Sequence, residues 1–473
     1  MYRLNVDCLV LIFNELRDKC SLYSCLLVNR KWCNLVVPIL WNNYSWCNVD
    51  EDESIFFDTI LSWLPSPSRQ LLSDNYIILP QKVHSEPPLF NYISFCKFPE
   101  NEAIKRIMEM VLDFNSYDKR KRDLLEQEIY KLFVSQCKNA KELCWTSSQP
   151  LSLFPGASTC FSRLRNLFID LDCINSNALY EMAKICRYLN TLIIYNCPQD
   201  LPELIFLIDA QRNLKNVNIY GSTIRKGSYR ELSKALARRC NTINHLHLGS
   251  VRVNPPSLSL VDQTQISIFN NETYDNIKEF QQYLSILEFP DLQSLNVTGF
   301  SYFNELAMLI QKTNGKISRI SINSTNITTD RNVEILIKAI ASNCPNLEVL
   351  HINLDLKDFI HIISLLLNCK NLVEIRLNNS TFVYNGYYVG NELLDILAKF
   401  SPMSLTNITI SDEWGCSVSA LSRFFECFRT RPLYYFHITF KGFRHYITKD
   451  HVDIVKKYIY EGVVKYSNIC SYH

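Results

Sequence analysis

The chain is predicted to fold as an α/β solenoid preceded by a small all-α bundle. Three observations carry this. An apolar pattern of the form L-x-x-L-x-L recurs from residue 140 to the C-terminal region at steps of 24, 25, 25, 29, 49, 25, 30, 25, 33 and 28 residues. Stretches with apolar residues three and four apart lie between the copies. The first 46 residues carry helical spacing but no copy of the pattern.

The N-terminal segment places Leu9, Ile12, Phe13 and Leu16 at helical spacing, with Asn5 or Asp7 available as a cap. Ser21 can cap a second helix whose apolar face includes Leu22, Cys25, Leu26 and Val28. Trp32, Leu35, Val36 and Ile39 continue the pattern, and Pro38 predicts a boundary. Two or three short helices in about 40 residues are too few to be stable alone. They need a partner surface or the rest of the chain.

Residues 47–135 read as a mixed helical linker, with a charged patch at 50–53, a turn-rich stretch at 65–68 and an irregular first repeat expected near 77–79. The run Asp118-Lys-Arg-Lys-Arg-Asp123 reads either as a nuclear import signal or as a solvated helix end.

Residues 136–445 hold the array. Its copies begin at Leu164, Leu189, Leu214, Ile243, Leu292, Ile317, Leu347, Leu372, Leu405 and Leu433, with Ala140-Leu143-Trp145 as a degenerate first copy. The step of 49 makes residues 251–290 a degenerate repeat or an insertion. Helices are expected over 178–189, 229–240, Val333–Asn343, 358–367 and 392–400. Cys186, Cys240, Cys344 and Cys369 precede strands and read as small buried hydrophobes. One unit cannot bury its apolar face alone, so stacked units share a continuous core. A helix near 452–464 caps the end, within a C-terminal segment 446–473.

The x positions point away from that core. They include Phe168, Tyr195, Tyr220, His245, His247, Arg319, His351, Arg376, Tyr435 and His437, a polar set with aromatic and Arg anchors suited to binding a protein substrate. Surface binding elsewhere, including at 251–290, stays open. His245 and His247 share a strand face, but zinc needs two more ligands, so they read as surface histidines.

Other classes are disfavoured. Lys plus Arg number 49 against 47 Asp plus Glu, a net charge of +2, which gives no global field for nucleic acid. No apolar run approaches the ~18 residues of a membrane span, and Asp7 interrupts the first apolar stretch, unlike a signal peptide. The 18 cysteines include no CxxC pair, and GxGxxG, Walker A, HExxH and GxSxG motifs are absent. No catalytic, metal or cofactor residues are assigned, and a cytoplasmic or nuclear location is expected.

Two family resemblances follow. Leu4, Asp7, Leu9, Ile12, Phe13, Leu16, Leu22, Cys25, Val28, Arg30, Trp32 and Leu35 fall at the offsets of an F-box, and residues 1–46 resemble that module. Asn5, Ser21 and Asn29 depart from its usual Pro, Asp and Cys or Ser. The repeat is similar to the cysteine-containing leucine-rich repeats of F-box proteins, so the array is expected as a leucine-rich-repeat horseshoe. The stretch 88–98 resembles the linker of expanded fungal F-box families. The resemblance implies an intracellular substrate receptor of an SCF-type ubiquitin ligase. Leu4, Leu9, Ile12, Phe13, Leu16, Leu22, Leu26, Val28 and Trp32 would then bind the SCF adaptor subunit, and through it the cullin and RING subunits, in ubiquitin-dependent protein catabolism. The rival reading is a ligase-independent leucine-rich-repeat scaffold or ligand sensor.

Overall fold

A computed structural model describes residues 5–16, 18–42, 53–80, 88–112, 118–138, 140–198, 200–221, 229–249, 287–299, 303–323, 333–379, 389–440 and 447–471. Leu4 and most of 251–290 lie outside them. The described residues divide into two units. One holds those up to Tyr195 together with Pro202–Leu214. The other holds Asn196–Leu201 and the described residues from Lys215 onward.

The first unit opens with three helices, α1 (Val6–Glu15), α2 (Lys19–Leu26) and α3 (Arg30–Asn42). Leu9, Phe13, Leu22, Val36 and Ile39 form their common core, with Leu16, Leu26, Trp32 and Leu35 packed around it. Phe13 meets Trp32 edge-on, ring centroids 5.0 Å apart. The cap of α2 differs from the sequence expectation. Asp18, not Ser21, is the cap, and its carboxylate accepts from the Ser21 amide at 2.6 Å. Asn29 caps α3 by accepting from the Trp32 amide at 2.9 Å. Asn5 stands at the start of α1 without a side-chain cap bond. Pro38 is no boundary, because α3 runs through it. The ring forfeits one backbone bond, but Val36, Val37 and Ile39 on either side are buried and hold the helix in place. Beyond Pro38, Trp41 stacks on Phe56 at 4.6 Å and on Tyr92 at 4.3 Å, fastening the bundle to the linker.

The linker is helical, with Glu53–Leu61, Ser66–Asp74, Asn101–Val111 and Lys119–Gln136. Residues 77–79 form no strand. Ile77 instead is buried where the chain leaves the preceding helix, its amide donating to the Leu72 carbonyl. The basic run 119–122 is the first turn of Lys119–Gln136, capped by Asp118. Phe98 joins this helix to the array, packing on Tyr130, Phe133 and Phe161.

The array is an α/β solenoid of leucine-rich repeats. In the first unit β1 (Glu142–Trp145), β2 (Asn166–Asp170) and β3 (Thr191–Cys197) pair in parallel. In the second, β4 (Asn216–Gly221), β5 (His245–Gly249), β6 (Ser294–Thr298), β7 (Arg319–Asn323), β8 (Val349–Leu354), β9 (Glu374–Asn379), β10 (Asn407–Ser411), β11 (Leu433–Thr439) and β12 (Val464–Tyr466) form a parallel ladder in chain order. All eleven copies of the sequence pattern fall on β1–β11. Their central apolar positions, such as Leu167, Leu246, Ile320 and Leu350, are buried. The return segments are helices, Phe303–Gln311, Val333–Asn343, Phe359–Asn368, Gly390–Phe400 and Val418–Cys427 among them, each packed on the next.

The recurring cysteines have a bonding role as well as a packing one. Cys186 ends its helix, and its thiol donates to the Phe161 carbonyl one repeat back at 3.3 Å. Cys369 does the same toward the Cys344 carbonyl at 3.5 Å. Gln211 takes this place one repeat after Cys186 and donates to the Cys186 carbonyl at 2.8 Å. Each adds a bond to a carbonyl at a helix end one repeat back. Cys240 departs from the set and is only half-buried.

The last helix is Lys449–Tyr460, and β12 after it has no counterpart in the sequence pattern. It pairs Val464 with Leu433 and Tyr466 with Tyr435. Past its end, the Asn468 side chain accepts from the Ile438 amide at 2.9 Å and donates to the Ile438 carbonyl at 2.7 Å. One amide side chain thus continues the ladder and blunts the open edge of β11.

Candidate interaction sites

The bundle divides its apolar residues in two. Leu9, Phe13 and Leu22, expected on the adaptor-binding face, are buried in the bundle's own core, because their helical stripe is the one the three helices turn toward each other. Leu16, Leu26 and Trp32 are half-buried at its margin. Of the expected set, Ile12 and Val28 are exposed. Beside them in sequence stand Leu11, 67% exposed, and Leu27, 89% exposed, with Tyr23 one helical turn before Leu27. Periodicity finds the stripe that builds a core. Leu11 and Leu27 lie off that stripe and were missed, although an apolar residue out of phase on a short amphipathic helix is itself a signal.

The strand face opposite the core begins differently in the two units. On β2 and β3, Phe168 is 8% exposed and Tyr195 is 5% exposed, so neither is the open anchor expected from the alternation. The registers explain this. Phe168 stands between Cys144 and Ile193, and Tyr195 stands beside Asp170. Strands lie about 4.8 Å apart, so side chains on adjacent strands cover one another.

In the second unit the outward positions form continuous rows. One row runs Asn218, His247, Asn296, Ser321, His351, Arg376, Thr409, His437 across β4–β11. At its start, Tyr220 packs over His247 with ring centroids 4.9 Å apart. The Tyr220 ring lies across Gly249, where an added Cβ would come within 2.7 Å of it. Burial pushes the His247 imidazole down to about 4. His245 is also lowered, by burial and by Arg319. His247 is therefore not the surface histidine that alternation implies but a neutral, largely enclosed ring. Arg319 is exposed on β7. Among the described residues no group of three His, Cys, Asp or Glu side chains is placed to hold a metal ion.

The far end of the row draws the remaining candidates together. His351 Nε2 lies 2.8 Å from Glu374 Oε1 on the adjacent strand. The bond to His351 holds the Glu374 carboxyl below its usual range, assisted by the Tyr435 hydroxyl and by Arg376. Burial and the same carboxylate raise the Tyr435 phenol, which stays protonated and donates. Tyr435 stacks on His437, ring centroids 4.4 Å apart and planes 15° apart. Burial and Arg376 lower His437. Arg376 itself is exposed. Glu374 therefore holds His351 and Tyr435, and His437 stacks on Tyr435, giving an aromatic shelf beside one open guanidinium. Such an arrangement presents rigid, low-entropy contact area and one fork for a carboxylate.

No family model and no curated protein matches the chain. Among solved structures, a leucine-rich-repeat-containing protein, LegL7 from Legionella pneumophila, is similar over 63% of this chain and 90% of its own, at 18% identity and a TM-score of 0.36. The complex of Rad7 and Elc1 in yeast is similar over 63% of this chain and 61% of that one, at 15% identity and a TM-score of 0.36. Similarities this distant leave the site to be read from its own geometry.

Proposed function

We propose that this chain is the substrate-recognition subunit of an SCF-type, cullin–RING ubiquitin ligase. The N-terminal bundle acts as an F-box that docks on the SCF adaptor, and the solenoid holds a substrate protein. The observation that carries the reading is the second apolar face of the bundle. Leu11, Ile12, Tyr23, Leu27 and Val28 remain exposed after the core of three helices is complete. A module of this size keeps such residues outward when a partner covers them. The shelf of Tyr435 and His437 with Arg376 is the substrate-facing counterpart. The chain performs no chemistry in this scheme. Holding a substrate lysine near a charged conjugating enzyme raises its effective concentration, and the transfer occurs on the partners.

The test is co-expression with an SCF adaptor followed by affinity purification. Each Leu buried at the contact is worth about 1.5–3 kcal/mol. Leu11→Asp combined with Leu27→Asp is expected to remove co-purification while the melting temperature stays within a few degrees of wild type. Wild-type protein that fails to retain any SCF adaptor overturns the proposal.

A further inference from the structure

Several cations of this nearly neutral chain stand along one edge of the first unit, where the strands begin. Lys141 directly precedes β1 and Arg165 directly precedes β2, and the Arg165 amide donates to the Lys141 carbonyl at 2.8 Å, which sets the two residues side by side. Ser162 and Arg163 occupy the turn before β2. One repeat later the same turn supplies Arg187 and Tyr188, and the next supplies Arg212. Lys141, Ser162, Arg163, Arg165 and Tyr188 line a cleft of about 800 Å³.

The cations of this edge are not consumed by structural ion pairs. Among the described residues no carboxylate lies within ion-pair distance of Lys141, Arg163, Arg165, Arg187 or Arg212, whereas the corresponding turn of the second unit pairs Lys316 with Asp291 at 2.6 Å. Besides Arg187, which donates to the Lys184 carbonyl at 3.4 Å, two of the guanidiniums are held without neutralisation. Arg165 donates to the Tyr188 carbonyl at 3.2 Å. Arg212 donates to the Tyr188 hydroxyl at 3.5 Å and sits 5.7 Å from the centre of that ring. Both contacts leave the charge intact and fix its direction. Like charges gathered around a concavity repel one another, and a multivalent anion relieves that repulsion.

We propose that this cleft binds a phosphomonoester carried on a protein segment, a phosphorylated serine or threonine side chain. A phosphomonoester brings close to two negative charges and three acceptor oxygens, which suit paired Arg forks and a Lys better than a single carboxylate does. Ser162 supplies a neutral donor, and the face of Tyr188 offers apolar surface to the residues flanking the phosphate. The cleft is short, with Glu142 exposed at the first position of β1, which disfavours a polyanion tracking along the sheet. Binding here does not depend on the adaptor face of the bundle.

The experiment uses the full chain and fluorescence anisotropy with an oriented library of phosphoserine and phosphothreonine peptides. Matched unphosphorylated, aspartate-substituted and single-stranded RNA probes run in parallel, with inorganic phosphate as competitor. The phosphopeptides are expected to bind at least tenfold tighter than the unphosphorylated set and to weaken as salt rises. Arg163→Gln with Arg165→Gln is expected to erase that preference without lowering the melting temperature. Lys316→Gln, on the second unit, should leave it unchanged, as should Leu11→Asp with Leu27→Asp. Competition by inorganic phosphate alone, with no peptide preference, identifies a free-anion site and overturns the protein-borne part. Equal binding of aspartate peptides, tighter binding of RNA, or indifference to the double Arg variant overturns the proposal outright.

Discussion

The enclosed imidazole of His247 gives a pH dependence that can be worked through. Its ring lies against Tyr220, with Asn218 and Asn296 as its register neighbours, so no carboxylate or cation of those strands faces it. His245 and Arg319 stand in the adjacent row. Burial lowers its value from 6.5 to about 4 in the folded chain. The folded value is below the unfolded one, so as pH falls the unfolded chain takes up the proton first. The stability contributed by neutral His247 is complete above pH 6.5 and is lost as pH falls toward 4. At pH 5 that loss is about 2 kcal/mol. Urea unfolding of wild type and of His247→Gln at pH 7 and pH 5 isolates it, because every other group titrates in both proteins. Wild type is expected to lose about 2 kcal/mol more than the variant over this interval. Parallel losses would show that the ring protonates freely in the fold and would refute the burial argument.

Two further outcomes follow from the packing. Burial raises the thiols of Cys186 and Cys344 to about 12 and that of Cys369 to about 11, whereas Cys8, Cys20 and Cys427 are exposed; intact-mass analysis with a thiol alkylator at pH 8 should show the exposed three labelled at least a hundredfold faster, and a stable disulfide among the buried ones would contradict the thiol-to-carbonyl bonds. Phe13→Ala removes a fully buried ring from the bundle core at a cost of about 3–5 kcal/mol, so limited proteolysis should open residues 5–42 in that variant and spare them in Ile12→Asp.

The array was legible because its unit is short and its periodicities are local. A leucine at a fixed offset is buried whatever the neighbouring repeat contains, so the positions of β1–β11 follow from spacing alone. The three-helix bundle was legible for the same reason, through the stripe of Leu9, Phe13 and Leu22. Its caps were not. Whether Asp18 or Ser21 closes α2 depends on where the backbone turns, and both residue types serve.

The sites were read less well, since a residue's direction is local but its surroundings are not. Strand alternation sends Phe168, Tyr195, His247 and Tyr435 all away from the core. Which of them meets solvent is settled across strands, by residues some 25 positions away in sequence that stand beside them in register. Cys144 and Ile193 flank Phe168, Asp170 flanks Tyr195, Tyr220 lies across Gly249 against His247, and Glu374 holds His351 and Tyr435 while His437 stacks on Tyr435. The basic cleft is of the same kind. Lys141, Arg163 and Arg165 are unremarked in a chain of net charge +2, and only the stacking of successive turns brings them around one space. Sequence by itself determined the repeat, its core and the apolar stripe that builds the bundle. Tertiary structure decided which side chains are covered and which charges are left without a partner, because burial and field are sums over neighbours that the chain order does not record.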